Sequence, residues 1–219
     1  MLKSIPEITP LSREFMNAIP IHECGELLVN IIESDRIIYR QGEGAKWLVP
    51  KLRKTANELL IKAADSLPVG YKMIAMSAYI PVSMQQEVWN RKVAKLRLQN
   101  PDWSEEKILA EVPKYAARPL KGAPHNTGGS IDVVILDKDG NELDMGSPFG
   151  GVGKPNHTLY SDITDEQKKN RQLLYWTMIN AGFLNTNPFE WWHYAYGDRA
   201  WAAYKGEDFA IYDGIEDNN

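Results

Sequence analysis

The chain lacks most of what would place it in several large functional classes. It has one cysteine in 219 residues, Cys24, so an intrachain disulfide and a cage of several thiolates around a metal are both excluded. Any metal here must be held by histidine and carboxylate. No stretch is apolar for the length a bilayer-spanning helix needs, and Met1-Leu2-Lys3-Ser4-Ile5-Pro6 has neither the basic nor the apolar segment of an export signal. The expectation is a cytoplasmic protein with no membrane partner. There is no lysine- or arginine-dense run and the formal net charge is −4, which leaves no electrostatic footprint for nucleic acid as a partner. The GxSxG signature of serine hydrolases is missing, and there is no internal repeat or low-complexity tract.

Hydrophobic side chains make up 43% of the chain, with seven tryptophans and ten tyrosines, enough to bury the core of a single domain. Residues 1–45 mix short apolar runs with turn-prone residues and are expected to form an extended, partly β arm packed on a domain spanning 46–215, with a frayed acidic tail at 216–219. From Pro50 to about Leu67 the residues Leu52, Ala56, Leu59, Leu60 and Ala63 recur at helical spacing, stopped by Pro68-Val69-Gly70. Tyr71 to Tyr79 reads as a buried strand, and Ser83 with Gln86 as a capping box opening a helix to about Leu98. Ser104-Glu105-Glu106 begins another short helix. Ser130 to Leu136, the turn residues Asp137 to Asn141, and Glu142 to Met145 predict a β-hairpin. Gly146 to Asp162 reads as a long loop bordering a site. Thr164 and Gln167 cap a long helix that Gly182 ends, and Trp191 to Tyr196 predicts a strand. The sum is an α+β fold, a mainly antiparallel sheet with helices packed on one face.

Two short segments carry chemistry: His125-Asn126-Thr127-Gly128-Gly129-Ser130-Ile131-Asp132 and Glu190-Trp191-Trp192-His193. Suppose His125 lies at the mouth of the 130–136 strand, Asp132 points from it, and His193 sits on a neighbouring strand. Two imidazoles and one carboxylate then converge on one Zn2+ and leave a fourth position for water. Gly128 and Gly129 let the backbone turn between the first two ligands. Glu190 precedes His193 by three residues, so in a fully extended segment it would face away; it is expected at an irregular strand start, bent back as general base toward the water. A lone buried histidine or aspartate is ordinarily a satisfied core group, and the coincidence of both segments sets the functional reading above that one.

Three other patterns yield to plainer explanations. His22-Glu23-Cys24-Gly25-Glu26 has Glu26 where the second histidine of an HExxH zinc helix belongs. Asp137-Lys138-Asp139-Gly140 lacks the downstream ligands of a calcium loop. Trp191, Trp192, Tyr194, Tyr196 and Trp201 could line a sugar or peptide groove, but strand packing accounts for them.

The segment His125 to Asp132 resembles the HxxGxxxD core of the SxHxxGxAxD signature of the M15 metallopeptidases, and Glu190 to His193 resembles the ExWH signature of their D-alanyl-D-alanine dipeptidase (VanX-like) branch. Leu143 to Phe149, Asn170-Arg171, Ala181-Gly182-Phe183 and Tyr194 to Asp198 are also similar, so the likeness runs from about Pro50 to residue 199. The resemblance implies zinc held by His125, Asp132 and His193, Glu190 as base, no organic cofactor, and a small peptide substrate containing D-amino acids. Oligomeric state is not legible. Three departures stand out. The family's Tyr-Arg-Pro element, whose arginine stabilises the oxyanion, reads Tyr79-Ile80-Pro81, leaving Lys72, Arg118 and His157 as candidate cations. The acid that follows Met-Gly-Thr-Pro-Phe and can meet the substrate amine is Gly150, and the serine two places before the first ligand is Ala123. Besides D-Ala-D-Ala hydrolysis, two readings therefore stand: a carboxypeptidase or endopeptidase on amine-blocked stem peptides, or a weak or non-catalytic peptidoglycan-fragment binding protein with a retained metal site.

Overall fold

Two segments run without glycine or proline through mostly apolar residues, Lys72–Ser77 (β4) and Ser130–Leu136 (β5), and they become the centre of the main sheet. The computed structural model describes residues 3–40, 50–112, 118, 122–151 and 153–215. Among these residues the sheet carries Ile37–Tyr39 (β2) parallel to β4, then β5 antiparallel to β4, then His193–Ala195 (β6) antiparallel to β5. A second, two-stranded sheet pairs Leu28–Asn30 (β1) with Lys51–Arg53 (β3). The mainly antiparallel α+β architecture is therefore as the sequence predicts.

Side chains alternate across a strand, so register decides which residues can meet. Asp132 lies opposite His193 and shares its face, while Ile131 lies opposite Tyr194 on the other. That other face, with Ile131, Val133, Ile135 and Tyr194 fully buried, joins the hydrophobic core. Helices Lys54–Asp65 (α2) and Asp165–Ala181 (α5) pack on each other and supply Ala56, Leu60, Ala63, Leu174 and Met178 to the same core. Helices Arg13–Ala18 (α1) and Arg199–Lys205 (α6) form a smaller unit with their own contacts. Val82–Gln99 (α3) and Glu105–Glu111 (α4) pair through a separate cluster of Val93, Leu96, Ile108 and Val112.

Several expectations hold in detail. Ser104 caps α4, Thr164 and Gln167 form the reciprocal box at the start of α5, and Gly182 ends it. Others are corrected by tertiary pairing. The helix expected from Pro50 begins at Lys54, because Lys51–Arg53 pair with β1 and bury Leu52 completely. Helix α3 starts one residue before Ser83, with Pro81 at the cap position, so Ser83 and Gln86 lie inside the helix. Pro81 presets the backbone angle there and needs no amide donor at that position. The hairpin after β5 is short, a single bridge between Leu136 and Glu142 made by the Asp137 N–H to the Asn141 carbonyl and the Leu143 N–H to the Ile135 carbonyl, each at 2.9 Å. The arm is not simply extended: it contains α1, and its Ile37–Tyr39 is the parallel edge of the main sheet. The expected acidic tail at 216–219 lies outside the described residues.

Candidate active site

His125 stands in a tight 3-10 turn, Pro124–Thr127, closed by Gly128 at φ +73°. Only a residue without Cβ takes that backbone angle at no steric cost, and a Cβ there would also meet Leu28 at 2.5 Å. Gly129 is needed for a different reason: a Cβ would sit 2.1 Å from the Tyr196 carbonyl oxygen, where the end of β6 crosses the start of β5. The two glycines thus let the chain turn at His125 and then enter the sheet at once. Buried Arg53 braces the turn, donating from Nε to the Thr127 carbonyl at 3.0 Å and from its backbone N–H to the Gly128 carbonyl at 2.8 Å, with Glu23 as its ion partner at 3.0 Å.

The turn and the register bring the three predicted ligands together. Donor atoms of His125, Asp132 and His193 lie within 4.8 Å of one another, a group of metal-ligating type among the described residues. Asp132 Oδ1 is 3.3 Å from His125 Nε2 and 3.0 Å from His193 Nδ1. His125 Nδ1 lies 2.9 Å from the Ala78 carbonyl oxygen, which only accepts, so that nitrogen carries the proton and Nε2 is left for the cluster. Side-chain exposure is 5% at His193, 11% at Asp132 and 18% at His125, so the cluster opens toward solvent on the His125 side.

The electrostatics follow from crowding. Burial disfavours the His125 imidazolium, but the Asp132 carboxylate beside it outweighs burial and pushes the pKa up to about 9. Burial disfavours the Asp132 carboxylate too, yet the His125 and His193 imidazoles hold it well below the usual carboxylate range.

Glu190 falls in the turn that precedes β6, with its N–H bonded to the Asn187 carbonyl at 3.0 Å and its own carbonyl accepting from the His193 N–H at 3.2 Å. That bend departs from extended geometry as the sequence requires of a base. Burial raises the pKa of Glu190, and Asp132 adds to the rise while His193, His125 and a bond with Asn187 oppose it. A carboxylate pushed upward beside such a cluster is a candidate for proton transfer.

The departures also find places. Ile80 is bound to the site through its backbone, donating its N–H to the His125 carbonyl at 3.2 Å. Lys72 pairs with Leu136 while Ser77 pairs with Asp132, so Lys72 sits at the far end of β4, roughly 17 Å along the strand, and is removed as a candidate cation. The Arg118 guanidinium lies 6.0 Å from the Trp89 ring of α3. His157 packs edge-on against Phe189, the neighbour of Glu190, at 5.0 Å between ring centres. Of the aromatic cluster, Trp191, Trp192, Tyr194 and Trp201 are buried, as packing predicts.

Three residues of the site's support gave no sequence signal. Arg53 falls in the helix expected from Pro50, Thr158 in the expected loop, and Asn185 between the helix ended by Gly182 and the strand expected from Trp191. Both of the latter are buried, and Thr158 donates its hydroxyl to Asn185 Oδ1 at 2.9 Å.

Comparison with known proteins shows the family to which the chain belongs. The family model of peptidase M15, described as D-Ala-D-Ala dipeptidase, matches residues 35–211. The D-alanyl-D-alanine dipeptidase of Synechocystis is 27% identical over 219 aligned positions, covering 84% of this chain and 87% of that protein. That of Escherichia coli is 28% identical over 144, covering 65% of each. The solved structure of the LD-carboxypeptidase LdcB aligns with 86% of this chain and 76% of its own at 17% identity, with a TM-score of 0.47.

Proposed function

Because the chain belongs to the M15 peptidase family, in its D-Ala-D-Ala dipeptidase group, we propose that it hydrolyses D-Ala-D-Ala or a related peptidoglycan-derived peptide with zinc held by His125, Asp132 and His193. The observation that carries this reading is the convergence of those three donors within 4.8 Å, beside a carboxylate whose pKa burial has raised. Two imidazoles, one carboxylate and no thiolate suit a catalytic zinc site with three protein ligands. Zinc bound there would polarise the scissile carbonyl and lower the pKa of water. Glu190 takes the proton of the attacking water and delivers it to the leaving amine. Asp132 supplies negative charge between the imidazoles, and the Ala78 carbonyl keeps His125 in the tautomer that offers Nε2.

Gly150 favours a second substrate class. It stands where the family's amine-binding acid is expected, and a Cβ there would meet nothing within 4 Å. A buried substrate ammonium without a counter-charge is costly, so a longer peptide with a blocked amino end fits the open position. Assays of zinc-loaded protein against D-Ala-D-Ala and a stem pentapeptide, with and without chelator, test the proposal. Chelator-sensitive cleavage of either supports peptidase function, and cleavage of the dipeptide alone removes the blocked-amine reading. Stoichiometric zinc binding with cleavage of neither supports a binding protein.

A further inference from the structure

We propose that Asn185 is a positioning residue for this site: its buried amide holds Glu190 and His193 in one fixed relation through their backbone carbonyls. The inference rests on the zinc-peptidase reading and extends it to a residue outside the metal cluster. Asn185 is 4% exposed. Its Nδ2 donates to the Glu190 carbonyl at 3.0 Å and to the His193 carbonyl at 2.7 Å, while its Oδ1 accepts from the Thr158 hydroxyl at 2.9 Å. Carbonyls only accept, so the nitrogen must face them, and the hydroxyl proton falls to the oxygen. The network therefore fixes the amide's orientation.

In an extended segment residues 190 and 193 would face opposite ways. The bend between them is closed in front by the His193 N–H bond to the Glu190 carbonyl and held from behind by the one amide that bridges both carbonyls. That amide is itself anchored. The Thr158 N–H donates to the Pro188 carbonyl at 2.9 Å, and the Trp191 N–H donates to the Asn156 carbonyl at 3.0 Å. Arg171 of α5, 3% exposed, donates to the carbonyls of Met145 and Pro155 at 2.7 Å each and to that of His157. A continuous buried polar path thus runs from α5 through residues 155–158 to Asn185 and on to the proposed base and ligand. Fully satisfied networks of this kind fix a unique geometry, and partners behind metal ligands set affinity and orientation.

Wild type, N185D, T158V and T158S would be compared by thermal unfolding without metal, by zinc affinity against a competing chelator, and by steady-state hydrolysis of D-Ala-D-Ala and a stem pentapeptide. N185D keeps the shape but turns an oxygen toward two carbonyl oxygens. Folded N185D is expected to bind zinc about 10- to 100-fold more weakly and to lose about 10²-fold in kcat, with KM within about twofold because no substrate contact is removed. T158V is expected to lose about tenfold in kcat, and T158S to restore it. A folded N185D with wild-type zinc affinity and kcat overturns the proposal. If N185D does not fold, T158V decides, and wild-type affinity and kcat in T158V overturn it. Wild type that binds zinc yet cleaves neither peptide defeats the peptidase reading alone, and the zinc affinities of the variants still judge Asn185. Wild type that binds no zinc overturns both.

Discussion

At the residue scale, Glu190 and the three donors divide their labour by charge and distance. Both histidines crowd Asp132 at 3.3 and 3.0 Å, and Glu190 stands outside that group with its pKa raised by burial. E190Q should therefore keep one zinc per chain, measured by metal analysis, while kcat falls by about 10²-fold or more. A fully active E190Q would remove Glu190 from the chemistry. Ile80 sets a second test, since its backbone bond to His125 places position 80 at the site. I80R should raise kcat, because one lost oxyanion donor costs about 10²–10³ in rate, and no gain would mean that another donor already serves. Gly129 is fixed by packing: G129A would press a methyl against the Tyr196 carbonyl and should cost about 2 kcal/mol or more, read by urea unfolding. The meeting of His125, Asp132 and His193 and the bend at Glu190 were legible from residue types and spacings. Asn185 and Arg53 were not, because they act on backbone carbonyls, and a carbonyl leaves no mark in sequence.

At the element scale, the glycine-rich loop from Gly146 to Asp162 is held by α5 as well as by its own turns. Arg171 gives its buried guanidinium to the carbonyl of Met145, just before that loop, and to those of Pro155 and His157 within it, and burial lowers its pKa to about 10. R171M would strand those carbonyls without donors, and each buried acceptor left unpaired costs about 1–3 kcal/mol. The expected loss is about 3 kcal/mol or more in urea unfolding, and a change below about 1 kcal/mol would contradict the stapling role. Elements with long periodic patterns or strong caps were readable, as α5 with its Thr164–Gln167 box and β5 with its run of Ile and Val show. The short strand β6 was readable too, but the pairings of other short strands were not. Lys51–Arg53 exists because β1 lies beside it, and the parallel pairing of Ile37–Tyr39 with β4 joins residues that no local period connects.

At the scale of the whole molecule, site and stability are linked through protons. His125 carries a pKa of about 9 in the metal-free fold against 6.5 for an unperturbed imidazole. Its contribution to stability is complete below pH 6.5 and is lost as pH rises through 9. Asp132 works in the other sense: its carboxyl is depressed, so its contribution is present above the ordinary carboxyl value of 3.8 and is lost on acidification below it. The Tm of the metal-free protein should fall between pH 6.5 and 9. The rise in Tm on adding zinc should grow over the same range, because the cation displaces the His125 proton. Zinc stabilisation that is flat with pH would contradict this linkage.

If the segments that carry Asp132 and His193, 61 residues apart, meet around one zinc ion with an open coordination place, anomalous diffraction at the zinc edge from zinc-loaded crystals will show it. The predicted result is one zinc peak with His125 Nε2 and His193 Nδ1 at about 2.0–2.1 Å, an Asp132 oxygen at about 2.0–2.2 Å, and a fourth position left for water or substrate. A peak elsewhere, or one that lacks any of these three side chains, would contradict it.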